Sequence, residues 1–147
     1  MPLLFCYGSN NPSQLAERIG AHRPIYAAVA PLYKRVFRGW SSKWGGGVAT
    51  LVPSRSRPAY GFVAKVTSAD LDKMDVFEGV QSGIYERVSI PVTVYGYEGE
   101  PKHTYKAIAY IRVSGDFNPP SRAYLEAIVK TIGAFWQIDD ISDIKVE

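Results

Sequence analysis

Glu78 is the residue whose neighbours most call for a chemical explanation. On the helical stretch that begins near Ser68, Leu71, Met74 and Glu78 recur at i, i+3 and i+7, so one face carries two apolar side chains and a carboxylate. Such a face packs inward, which leaves two readings. Glu78 either lies past the last turn, stopped by Gly79 and pointing to water, or it sits in a lowered dielectric that raises its pKa. A carboxyl of the second kind can take a proton and return it within one cycle, as general acid/base catalysis requires. Glu86, where alternation from Ile84 and Val88 could turn it inward, is the second-choice carboxylate. Asp70, Asp72 and Asp75 fall mostly on the polar side of the helix and read as solvated charges.

The second chemical feature is the loop Tyr7-Gly8-Ser9-Asn10-Asn11-Pro12, which breaks an apolar run before helical spacing begins. Gly8 opens backbone conformations closed to other residues, and Ser9 and Asn10 tolerate tight turns. Amide N–H groups between a strand and a helix N-terminus can hold an anion or an oxyanion. A plain turn is the competing reading, and Tyr7 at the strand end can be simple packing.

Other chemistries find little support. His22 and His103 stand in polar contexts without metal-ligand spacing. Cys6 is the only cysteine, so no intrachain disulfide can form, and its strand position suits a small buried hydrophobe. GxSxG, Walker A and GxGxxG motifs are missing. No cofactor and no metal are expected, which leaves carboxylate and backbone to do the work.

These residues must be positioned by recognisable elements. Residues 2–6 read as a short buried strand, followed by a helix with Asn11 as N-cap, Pro12 at its first position and Gly20 as its stop. Residues 25–38, with Pro31 inside, suit one strand or two short ones. Gly45-Gly46-Gly47 leads into the strand VATLV, and AYGFVAKV alternates clearly. Thr67 and Asp70 form a capping-box signature for the next helix. The runs Ile84 to Tyr95 and His103 to Val113 flank the turn GYEGEP as a long hairpin, and Asn118-Pro119-Pro120 is expected to start a last helix over residues 119–135. The sum is an α+β fold, a small mixed β-barrel of about six strands flanked by helices.

The 147 residues suit a single domain, 1–147, and 46% hydrophobic with 21% charged residues is the balance of a globular protein. No basic start with an apolar run opens the sequence and no stretch approaches a membrane span, so a cytoplasmic location without a membrane partner is expected. The net charge of +3 hides an asymmetry: residues 1–60 hold eight Lys or Arg against the single acid Glu17. Lys34, Arg35, Arg38, Lys43, Arg55 and Arg57 form no helical stripe and accompany no nucleic-acid motif. They read chiefly as a solvated face, with steering of an anionic substrate as the functional alternative and no nucleic-acid partner expected.

YGSN behind the first strand, Trp44 to Ser54, YGFVAKV, FEGVQSGIYERV (Phe77 to Val88) and the PPS-x-x-Y pattern at Pro119 to Tyr124 together resemble the γ-glutamylcyclotransferases over residues 2 to about 130. The resemblance implies release of 5-oxoproline and a free amine or amino acid from a small γ-glutamyl substrate. It places the catalytic glutamate on Glu78 and the substrate-binding loop on Leu4, Phe5, Cys6, Tyr7, Gly8, Ser9 and Asn10. Tyr124 falls on a later binding tyrosine, and Tyr110 is a lesser candidate. Asn11-Pro12 departs from the apolar residues that commonly follow YGSN. Monomer and homodimer both stay open, as does the leaving group, which the loops around Trp40–Gly47 and Tyr95–Pro101 are expected to select. The alternatives are a non-catalytic ligand-binding or regulatory domain of the same fold and, through the basic N-terminal half, a nucleic-acid binder.

Overall fold

A computed structural model of the chain describes residues 1–138 and 140–146. Strand β1 (Leu3–Cys6) is buried along its whole length because both its faces are covered. Leu3 and Phe5 join one core with α3 (Arg122–Ile132) and the strands, while Leu4 and Cys6 join a second core with α1 (Pro12–Ile19) and α2 (Ser68–Phe77). β1 pairs with β5 (Ala59–Lys65), which pairs with β2 (Ile25–Ala30). The order continues through β6 (Tyr85–Val94) and β7 (His103–Arg112), and β7 closes a barrel by running parallel to β1 at Leu4 and Ile108. The expected barrel is therefore present, closed by five strands, while β3 (Tyr33–Ser41) and β4 (Gly46–Pro53) form a separate two-stranded sheet.

A barrel this small has little interior volume, and buried Ala28, Ala30, Ala59, Ala107 and Ala109 meet that limit. The β6–β7 hairpin is the long one expected, in register from Tyr85 opposite Arg112 to Val94 opposite His103.

The helices that carry the site start where their caps predict. The Asn11 side chain accepts from the Gln14 N–H at 2.8 Å, and Gly20 ends α1 at φ +76°. On α2, Thr67 and Asp70 exchange hydrogen bonds in a complete capping box. Asp70 corrects its reading as a solvated charge: it is buried, with one oxygen 2.9 Å from Arg23 Nε.

The last helix starts later than expected. Its N-cap is Ser121, whose Oγ accepts from the Tyr124 N–H at 3.2 Å, and the helix ends at Ile132. Asn118 to Pro120 instead cross the start of β4, where a side chain on Gly47 would overlap the Asn118 carbonyl and one on Gly46 would crowd Pro119. Glycines 46 and 47 and the Asn-Pro-Pro segment thus require each other. Beyond α3, Ile144 is buried against the core. Among the described residues no helix is long and apolar enough to cross a membrane.

Candidate active site

β1 ends where Gly61 of β5 faces it, and a Cβ at position 61 would overlap the Cys6 carbonyl. From there Tyr7 to Asn10 leave the barrel and curve to the start of α1. This loop forms one wall of a pocket of about 200 Å³. Leu4, Phe5, Cys6, Tyr7, Gly8, Ser9, Asn10, Glu78, Tyr110 and Tyr124 all line it, so the first-choice acid, the loop and both tyrosines are brought to one place.

Glu78 is the C-cap residue of α2, with its N–H bonded to the Met74 carbonyl at 2.9 Å and Gly79 following at φ +65°. Of the two readings, the buried one describes the side chain, which is 14% exposed. Burial raises the Glu78 pKa, and this outweighs the opposing pull of Arg18 and Asn10. Asn10 Nδ2 donates to Glu78 Oε1 at 3.2 Å. Arg18 holds Nη1 3.8 Å from the same oxygen while its guanidinium lies 5.0 Å from the Phe77 ring centre. Glu86, the second-choice carboxylate, is exposed on β6 and does not line the pocket.

Gly8, Ser9 and Asn10 line the same pocket as this acid. Among the described residues, the Gly8, Ser9 and Asn10 N–H groups make no hydrogen bond to a backbone carbonyl. Three successive half-buried amides without a backbone acceptor on a pocket wall can receive oxygen atoms of a ligand. The Tyr124 hydroxyl accepts from the Ala49 N–H at 2.8 Å, which leaves its own proton to give.

The tyrosines divide by what their hydroxyls do. Tyr7 donates to the Tyr110 carbonyl, tying the loop to β7. Tyr110 donates to Asp75 at 2.7 Å, so its ring lines the pocket while its hydroxyl secures α2. Asp75, read from sequence as solvated, is also gripped by Arg87 at 2.7 Å, which with the Tyr110 hydroxyl overcomes its partial burial and holds its carboxyl below the usual range.

Arg18 and Tyr85 also line the pocket and were not singled out as site residues by the sequence. Tyr85 could have been found: it opens β6 seven residues after Glu78, inside the same block. Burial, then the Glu78 charge, push its hydroxyl up to about 12. Residues 95–101 lie outside the pocket lining, because the hairpin puts that turn at the opposite end from Tyr85. Of the two loops expected to select a leaving group, only the one with Ser41, Lys43 and Trp44 reaches the pocket. Among the described residues no cluster of His, Cys, Asp and Glu could hold a metal ion.

Fold and pocket together define a small mixed barrel with a half-hidden acid at one mouth. The chain belongs to the gamma-glutamyl cyclotransferase, AIG2-like family, whose sequence model matches residues 4–126. Its relatives include gamma-glutamylcyclotransferase from Bos taurus, 37% identical over 136 residues, with 86% of this chain and 67% of the relative covered. The Homo sapiens protein of the same name is 35% identical with the same coverage of both chains. A solved structure titled gamma-glutamyl cyclotransferase superposes with a TM-score of 0.79 at 25% identity, covering 99% of this chain and 88% of that one. YkqA from Bacillus subtilis, at 18% identity and a TM-score of 0.77 over 97% of this chain and 52% of its own, shares the fold.

Proposed function

We propose that this chain converts a γ-glutamyl compound to 5-oxoproline and a free amine or amino acid, with Glu78 as general acid/base. The observation that carries this reading is the half-hidden Glu78 carboxyl in one small pocket with Gly8, Ser9 and Asn10, whose N–H groups have no backbone acceptor among the described residues. In the reaction the substrate's α-amine nitrogen attacks its own γ-carbonyl carbon and closes a five-membered ring. Glu78 takes the proton that the amine must lose, then gives it to the leaving nitrogen as the γ-carbon–nitrogen bond breaks. No second reactant is consumed.

Because the nucleophile is tethered, the protein's task is to hold one rotamer, and well-oriented intramolecular reactions reach effective molarities of about 10⁵ M or more. Gly8, Ser9 and Asn10 amides are the donors available to the developing oxyanion and to the α-carboxylate. Tyr124 and Tyr85 would close the pocket around the glutamyl head, and Lys43 and Trp44 at its rim would meet the leaving group.

The test is to incubate the protein with γ-glutamyl amino acids, γ-glutamyl-ε-lysine and glutathione and to quantify 5-oxoproline and the freed amine. Equal amounts of both from at least one substrate are expected. No 5-oxoproline from any of them, with binding detected by a rise in Tm, would favour the non-catalytic ligand-binding reading instead.

A further inference from the structure

Arg35 departs from the solvated face that its neighbours in the sequence suggested. It sits on β3 at 8% exposure. Its Nε–H donates to the Tyr7 carbonyl at 2.8 Å and an Nη2–H donates to the Tyr60 carbonyl at 2.6 Å. Burial pulls its pKa down to about 10, and it makes no ion pair with a carboxylate among the described residues. The fixed charge that acts on it is Arg57, which repels. A buried cation is normally paired, because the charge is costly to bring out of water. Two carbonyls alone could be satisfied by a neutral donor. What the arginine adds is a positive charge.

That charge rests on the first peptide of the pocket loop. The Tyr7 carbonyl and the Gly8 N–H belong to the same peptide unit, and the chain has no cis bonds among its described residues. In a planar trans peptide the two groups point in opposite directions, so the carbonyl held by Arg35 turns the Gly8 N–H away from it. Gly8 lines the pocket, and its N–H has no backbone acceptor among the described residues. A cation on a carbonyl oxygen draws electron density from the amide nitrogen and makes the N–H a stronger donor, as in any polarised hydrogen-bond chain.

We propose that Arg35 is a positioning residue of the pocket. Through the Tyr7 carbonyl it fixes and polarises the Tyr7–Gly8 peptide so that the Gly8 N–H serves the substrate's oxygen. Arg35 does not itself line the pocket, so its charge acts on the substrate's oxygen atoms through that peptide. This inference rests on the γ-glutamyl reading given above, and wild-type turnover is established first, so that failure of that reading is seen separately.

The experiment compares wild type with Arg35→Met and Arg35→Lys on the best γ-glutamyl substrate and on the same substrate with its α-carboxylate amidated. Folding is checked by thermal melt. Arg35→Met, while folded, is expected to lose about 10- to 100-fold in kcat/KM on the carboxylate substrate, short of or near the cost of deleting an oxyanion donor. Arg35→Lys should recover most of the loss, and the amidated substrate should show a smaller one. A purely structural arginine would lower Tm and leave kcat and KM of the folded enzyme within twofold of wild type, and that result overturns the proposal. Should Arg35→Met not fold, the wild-type protein decides: on titration with 5-oxoproline, the Arg35 Nε–H and Gly8 N–H resonances should shift together. If neither moves while the protein binds the product, the proposal fails.

Discussion

Asn10 Nδ2 and Glu78 Oε1 meet at 3.2 Å, joining the loop after the first strand to the end of α2, 68 positions later in the chain. The contact ties the acid to the loop that carries Gly8 and Ser9 and moderates it electrically, since a donated hydrogen bond favours the charged form. Asn10→Ala should therefore raise the Glu78 pKa and also loosen the loop. The pH–rate profile of kcat/KM should show its acidic limb moved to higher pH. An unmoved limb would mean that Asn10 does not act on the titrating group.

Arg18 gives a second test of the same acid. Its guanidinium lowers the Glu78 pKa, against the larger rise from burial. Arg18→Met should then shift the acidic limb further upward, while rates on the high-pH plateau change less. Arg18→Lys should keep the limb near its wild-type position, because the charge is retained. Potentiometric or NMR titration of the folded variants reads the same shift without turnover.

The raised pKa of Glu78 carries a stability consequence with a definite sign. A group whose folded pKa lies above its unfolded value supports the fold below the unfolded pKa and loses that support as pH rises through the folded one. At neutral pH the charged carboxylate is thus a cost to the fold. Glu78→Gln should have a higher Tm than wild type near pH 7, with the difference shrinking as pH falls toward the ordinary carboxylate range. Asp70 runs the other way: it is desolvated, but Thr67 and Arg23 more than offset this and lower its pKa. Its contribution is present above the unfolded value and is lost as pH falls through the folded one. Asp70→Asn should cost about 1 to 3 kcal/mol at neutral pH by denaturant unfolding.

How much of this was legible in the sequence follows from what each signal depends on. Local chemistry read well. Asn11, Thr67 and Gly20 cap and stop helices through contacts a few residues away, so their positions sufficed. The YGSN loop and Glu78 were visible as oddities, a turn richer than needed and an acid on an apolar face. Long-range relations were hidden. Nothing local says that Asn118 to Pro120 must cross Gly46 and Gly47, which is why the last helix was started too early. Arg35 sits among other basic residues in sequence, and only the fold brings the Tyr7 and Tyr60 carbonyls to it. Arg18 shares a helix face with Gln14, but its reach to Glu78 depends on how α1 packs on α2.

Gly61 tests the geometry that releases the loop. A methyl there would overlap the Cys6 carbonyl, which is backbone and cannot step aside. Gly61→Ala should lower stability by about 1 to 3 kcal/mol, in the range of overpacked sites. It should also impair turnover in the folded fraction, because the strain falls next to Tyr7. A stable and fully active Gly61→Ala would show that the loop does not depend on this approach.

If Glu78 carries the proton in a cyclisation that yields 5-oxoproline, removing its carboxylate must slow the chemical step itself. The most direct measurement is single-turnover release of 5-oxoproline by wild type and by folded Glu78→Gln on one γ-glutamyl substrate. The variant should be slower by about 10²- to 10⁴-fold, the usual share of general acid/base catalysis, with substrate binding retained. Equal rates from the two proteins would move the proton transfer to another group.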